Sequence, residues 1–407
     1  MSKDVDTLSA KVKYSVHGFF ISVATTVAEP ATILPLMVYY FSGSPLLVGL
    51  FASLLKGGSV LVQLFAAFYA QSYPRMMPYL YGVFAARIFS WFFIGVMVYF
   101  FGQEYPNIAL ASIGLGLFIF SFAAGFGSVY FNEIIAKVFS NKERGKVIAI
   151  RQFFMGLGAI ASGASAGWIL SHFEPPHSFG LLFIFSALLM SIGIFAFGSI
   201  PEPVKIKVGI KEKRFKTFIL NSQKVLKEDL RLRRQIITYL LAYAHLLSLP
   251  FIILDVSERM TLDGMDIGLF ISAQMSGGML SNLLWARCSS KGRNLMIIHL
   301  SFLLYIFWIV MALVSESVYA FVALFFALGA AMDGMRLAFS NMILIISPEE
   351  KRPVYIALQS NLSSIGLFFS IPGALILQYF SYEILYSVTL AVLIAGFVYS
   401  FRLRDEV

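Results

Sequence analysis

Two places in this sequence set ionisable side chains inside long apolar stretches, where each needs a partner or a task. Glu29 directly precedes Pro30 in the stretch 14–41. There Ser15, Ser22, Thr25, Glu29 and Thr32 recur at spacings of three, four or seven, so on a helix they share one face. Asp333, Arg336 and Ser340 form a second such face in the stretch 319–346. A charge at mid-bilayer costs about 2.5–3.5 kcal/mol on insertion scales, so such groups face the inside of a helix bundle. Two chemistries suit them. Glu29 and Asp333 can carry a coupling proton, or they can be permanently paired, Glu29 with Lys56 or Arg87 and Asp333 with Arg336 three residues on. Pro30 frees a backbone carbonyl and permits a bend, which suits a moving element.

The buried cations Lys56, Arg87, Arg151 and Arg336 slightly outnumber Glu29, Glu133 and Asp333. A guanidinium fork suits a carboxylate or phosphate ligand. Thr25, Asn132, Gln152, Tyr243, His245 and Gln359 complete the candidate lining of a cavity. A lone membrane histidine such as His245 is more often a hydrogen-bonded packing residue than a proton relay. His17, His172, His177 and His299 fall near helix ends and carry little weight. No HExxH, no paired His with carboxylate, no glycine-rich phosphate cradle and no ATP-binding Walker sequence is present. Cys288 is the single cysteine, which excludes an internal disulfide or thiolate cluster. No metal, cofactor or enzymatic chemistry is expected.

The elements that must hold these groups follow from composition. At 58% hydrophobic and 13% charged, the 407 residues are too apolar for a water-facing surface. Twelve apolar runs have lengths suited to crossing a bilayer, at 14–41, 45–70, 77–101, 108–139, 147–172, 179–200, 236–254, 268–288, 295–314, 319–346, 354–380 and 384–401. The first is too long for a signal-peptide core and is kept as a membrane helix. The sequence therefore predicts an all-α membrane protein of twelve transmembrane helices. Alternate connections, starting from the amino terminus, hold 25 of the 31 Lys and Arg, and the connections on the opposite side hold only Arg259. That bias puts both termini in the cytoplasm, at the cell or inner membrane. It also explains the net charge of +9 by topology, with no nucleic-acid partner.

The chain repeats itself. GLFASLLKGGSVL at 49–61 matches GLFISAQMSGGML at 268–280, and ERGKVIAIRQ at 143–152 faintly matches KRPVYIALQS at 351–360. Both matches join helix n to helix n+6, giving six-helix bundles at 1–200 and 236–407. A basic linker at 201–235 reads from Lys211 onward as an amphipathic helix for the inner leaflet. With the Arg144–Gly145 turn between helices four and five, this pattern resembles the major facilitator superfamily over essentially the whole chain. The family's loop motif, Gly-x-x-x-Asp-Arg-x-Gly-Arg-Arg, survives here only as Ala67, Gln71, Ser72, Pro74 and Arg75, without its acidic residue. After helix eight the same place keeps Lys291, Gly292 and Arg293.

The resemblance implies that helices one, four, seven and ten line a cavity. It also implies that charge pairs latch a cytoplasmic gate, with Arg75, Glu133, Arg144, Lys291, Arg293 and Arg352 as candidates. The expected function is a monomeric secondary transporter that moves a small organic solute, by slight preference an anion, by alternating access coupled to protons. An efflux pump for amphipathic drugs and a lipid or lysolipid carrier are the rivals, since 41 Phe could make the cavity greasy. A lipid-modifying membrane enzyme and a non-transporting sensor are further alternatives.

Overall fold

The computed structural model describes residues 7–29, 31–70, 73–204, 225–348 and 351–403. Most of the expected linker helix, 205–224, lies outside the described residues, as does Pro30. Among those described, every regular element is helical: α1 Thr7–Thr26, α2 Ile33–Ser42, α3 Pro45–Ala70, α4 Met77–Phe101, α5 Pro106–Val138, α6 Asn141–His172, α7 His177–Gly198, α8 Leu230–Ala242, α9 His245–Arg259, α10 Gly264–Ser290, α11 Asn294–Val314, α12 Val318–Ile346, α13 Arg352–Ser363, α14 Ser370–Tyr379 and α15 Tyr382–Ser400. Ten spans among the described residues are long and apolar enough to cross a membrane. α1 with α2, and α3, occupy the first two runs of the sequence.

Three of the twelve runs are broken. The first is two helices, because the chain leaves the helix after Thr26, passes Glu29 outside it and re-enters at Ile33. A residue before proline is biased out of the α region, and proline lacks the N–H the ladder needs. The seventh run breaks between α8 and α9. Leu249 and Pro250 follow that break as Leu34 and Pro35 follow the first, 215 residues apart. The eleventh passes from α13 through a 3₁₀ turn, Ser364–Phe368, into α14.

The chain forms two compact units. Unit 1 comprises Met1–Leu47, Leu54–Glu212 and Leu262–Ser272; unit 2 comprises Val48–Ser53, Lys213–Thr261 and Ala273–Val407. The short exchanged segments carry the repeated glycine. A Cβ on Gly268 would come within 2.7 Å of the Gly167 Cα on α6, inside unit 1, and one on Gly49 within 2.8 Å of the Ala374 Cβ on α14, inside unit 2. Such close backbone approach is how membrane helices gain dispersion contacts where lipid is as apolar as any side chain. Unit 1 centres on Trp91, whose ring stacks on Phe120 at 3.6 Å and whose Nε1–H donates to the Ala24 carbonyl at 3.2 Å. Unit 2 buries Trp308, Tyr305, Phe302 and Phe325 at its centre. Large apolar side chains such as Phe195 and Tyr319, 80% and 84% exposed, form the lipid-facing surface.

Candidate functional site

In unit 1 the candidate cations lie on α3, α4 and α6. Lys56 pairs with Glu29 at 3.8 Å, a long contact that leaves the Glu29 Oε1 buried without a hydrogen bond. Arg87 lays its guanidinium 4.4 Å above the Phe120 ring, which is itself clamped on Trp91. Arg151 sits 5.0 Å over Tyr14 and 5.2 Å over Phe131, with Nη1 at 2.9 Å from the Met155 sulfur. These rings offer cation–π attraction, which offsets only part of the desolvation of a guanidinium. The Nε atoms of both arginines are buried with no hydrogen-bond partner, and neither residue makes an ion pair among the described residues.

The neutral candidates in this unit make no hydrogen bond to the arginines among the described residues. Thr25 turns its hydroxyl onto the Ile21 carbonyl of its own helix at 2.8 Å, and Asn132 and Gln152 are exposed. Gln63 donates to the Ser128 hydroxyl at 3.0 Å, tying α3 to α5.

One residue that helical spacing passed over does join the arginines. His17, 3% exposed, places Nδ1 at 3.4 Å from Arg151 Nη2, among the rings of Phe84, Phe131 and Phe197. A guanidinium can only donate, so Nδ1 is the acceptor and the ring proton sits on Nε2. The sequence did hold a signal: Gly18 follows His17, and a Cβ there would lie 2.6 Å from Arg151 Cγ, so the glycine admits the arginine stem.

In unit 2 the Asp333–Arg336 pair forms, with Oδ1 accepting from Nε at 3.2 Å and Nη2 at 2.8 Å, while Asn282 donates to Oδ2 at 2.8 Å. Asn282 and Asp333 join α10 to α12 as Gln63 and Ser128 join α3 to α5. Tyr243 lies 5.1 Å from Tyr239, which stacks on Phe339 at 4.3 Å. His245 is buried, stacked on Tyr305 at 4.5 Å, and its Nδ1–H donates to the Ala242 carbonyl at 2.8 Å. Gln359 is buried and tied to Gln235. A separate cleft of about 410 Å³ at the start of α8, lined by Glu228, Asp229, Arg231, Lys351 and Tyr355 among others, contains none of the expected site residues. Burial there pushes the Asp229 carboxyl up, but hydrogen bonds from the Tyr355 hydroxyl and the Leu232 and Arg231 amides outweigh it and hold it below the usual carboxylate range.

Arg75, Lys291 and Arg293 are exposed, Glu133 is half-buried, and the Arg352 side chain lies outside the described residues. Arg144 donates to the Ala136 and Phe139 carbonyls at 2.9 and 3.3 Å, closing the end of α5. A carboxylate from beyond α7 caps the start of α4. Glu202, just past α7, accepts from the Met76 and Met77 amides at the start of α4 at 2.9 and 2.7 Å, and from Lys137 at 2.7 Å. No group able to hold a metal ion occurs among the described residues.

The sequence profile of the Major Facilitator Superfamily matches residues 16–256 and 235–407. The chain belongs to that superfamily. Solved structures agree on the fold. The nucleoside transporter NupG (D323A mutant) superposes with a TM-score of 0.76 at 13% identity, over 97% of this chain and 99% of that one. A bacterial homologue of the iron transporter ferroportin, in an inward-facing state, gives 0.71 at 14%, over 97% and 98%. A D-xylose–proton symporter gives 0.69 at 13%, over 98% and 97%. No curated protein sequence matches it. At these identities the likeness carries the fold, and with the family it makes this a multi-pass membrane protein of the secondary-transporter kind.

Proposed function

We propose that the protein carries a small organic anion across the membrane by alternating access of the bundles 1–200 and 236–407, driven by a proton taken up at Glu29. Both termini and the basic linker at 201–235 are placed in the cytoplasm by the Lys and Arg bias of the connections. The supporting observation is the charge balance inside the bundles. Lys56 and Arg336 face Glu29 and Asp333, while Arg87 and Arg151 have no carboxylate among the described residues. An unpaired buried cation costs several kcal/mol, and a carboxylate or phosphate ligand would offset that cost with charge-assisted hydrogen bonds. Glu29 supports the coupling half of the proposal, because its carboxylate is held at 3.8 Å by Lys56 and by no closer bond to Oε1, so a proton can replace that contact. Proton coupling also occurs in a neighbour of this fold, the xylose–proton symporter.

The test is thermal unfolding of the purified protein against organic anions, cationic drugs and lysolipids. A ligand at 100 times its Kd adds about 2.7 kcal/mol to stability. Stabilisation by anions that vanishes in Arg87→Ala and Arg151→Ala supports the proposal. Stabilisation by drugs or lysolipids that survives both substitutions replaces it with an efflux pump or a lipid carrier.

A further inference from the structure

The His17–Arg151 contact has a counterpart in the other unit. The offset of 208 residues between ERGKVIAIRQ and KRPVYIALQS places Arg151 on Gln359 and Phe131 on Phe339. Gln235, on the helix that opens the second half, donates its Nε2–H to the Gln359 Oε1, although the offset itself sets Val225 against His17. Both glutamines also donate to the Phe339 carbonyl, at 3.4 and 3.3 Å. The junction of the first, fourth and fifth helices of each half is therefore closed by a polar pair packed against a phenylalanine. In unit 2 the pair is neutral, with the Gln235 Oε1 buried and left without a partner. In unit 1 the same junction carries a cation whose Nε is left without a partner.

Given the anion reading above, we infer that His17 is a positioning residue, whose neutral Nδ1 acceptor fixes the Arg151 guanidinium in the orientation that receives an anionic head group of the carboxylate or phosphate type. The argument rests on donor and acceptor chemistry. Arg151 has three other constraints, the Tyr14 and Phe131 faces and the Met155 sulfur, and none of them is a strong directional acceptor. Nδ1 of His17 is the one nitrogen or oxygen acceptor bonded to the guanidinium among the described residues. The groups facing the His17 ring are Arg151 from α6, Arg87 from α4 and the rings of Phe84, Phe131 and Phe197, with Tyr14 one turn away on α1; among the described residues no carboxylate faces it, and its Nε2 is buried without a hydrogen-bond partner. An orienting acceptor beside an arginine fork acts as supporting side chains do in binding sites generally, by fixing the geometry of the group that touches ligand.

The repeat supplies variants expected to fold. His17→Gln offers an Oε1 acceptor to Arg151, while His17→Leu has no acceptor. Arg151→Gln makes the junction neutral, as it is in unit 2. The probes are inorganic phosphate and benzoate, with binding to the full chain in detergent followed by thermal shift and by titration calorimetry. The expected results are wild-type affinity within about twofold for His17→Gln, a loss of tenfold or more for His17→Leu, and no binding for Arg151→Gln at unchanged melting temperature.

A readout independent of any ligand is the ¹⁵N NMR tautomer of His17, assigned by difference from His17→Gln. Nδ1 should be unprotonated, with its hydrogen-bond signature lost in Arg151→Gln. A proton on Nδ1, or probe affinity in His17→Leu equal to wild type, overturns the positioning role. Expected NMR behaviour with neither probe bound by the wild type would leave the positioning contact in place and refute the anion reading on which its function rests.

Discussion

Glu202 offers the sharpest stability prediction, because it caps α4 and pairs with Lys137 in one buried contact. Its side chain is 2% exposed and Lys137 is 11% exposed, so the pair is almost out of water. The carboxylate accepts from two free N–H groups at the start of α4 and from the Lys137 ammonium. Hydrogen bonds to charged groups contribute about 1.5–3 kcal/mol each, but they share one acceptor and do not add; breaking a buried pair from one side costs about 3–5 kcal/mol. Glu202→Ala should therefore destabilise unit 1 by about 3–5 kcal/mol. At about 2–4 °C per kcal/mol for 150–250 residues, the melting temperature in detergent should fall by roughly 6–20 °C. Glu202→Gln keeps one acceptor for the amides and should lose about half as much. Lys137→Met should cost less than Glu202→Ala, because the anion stays on the positive end of α4. Scanning fluorimetry of the three variants and the Lys137→Met/Glu202→Ala double variant gives the coupling. A Glu202→Ala loss under 1 kcal/mol, or strictly additive losses, would refute the reasoning.

Other expectations follow from the same geometry. Glu29→Gln should abolish the dependence of transport on a pH gradient while leaving ligand stabilisation in place, and full retention of that dependence in proteoliposomes would remove Glu29 from coupling. Asp333→Asn should leave Arg336 without its counter-ion and slow transport more than Arg336→Ala/Asp333→Ala, which removes both charges; equal rates would assign the pair no electrostatic role. Asp229 contributes stability through a carboxyl whose folded value is depressed. That contribution is complete above the unfolded value of about 3.9 and is lost as pH falls through the folded one. Tyr355→Phe should shrink that acid-sensitive contribution, and thermal unfolding between pH 3 and pH 7 reads the change.

How much of this was legible in the sequence depended on where the partners lie along the chain. The helices, their repeat and the Asp333–Arg336 pair follow from local spacing, since residues three or four apart meet on one helix. The break in the first run was marked by Glu29 and Pro30, though the points where helix ends at Thr26 and resumes at Ile33 were not. Glu29–Lys56 was named as one of two pairings, and geometry chose it over Arg87. His17 with Arg151, and Glu202 with Lys137, join helices 134 and 65 residues apart, and no periodicity encodes such pairings. Apolar length located the membrane helices but did not indicate which of their polar faces meet.

The most direct test of the central claim is the charge displaced when solutes reach the reconstituted protein, recorded on a solid-supported membrane during concentration jumps of anionic, cationic and neutral compounds. The account predicts transient currents for organic anions that disappear in both Arg87→Ala and Arg151→Ala and change with pH only when Glu29 is present. Currents evoked only by cations or neutral solutes, or anion currents unchanged in both arginine variants, would contradict it.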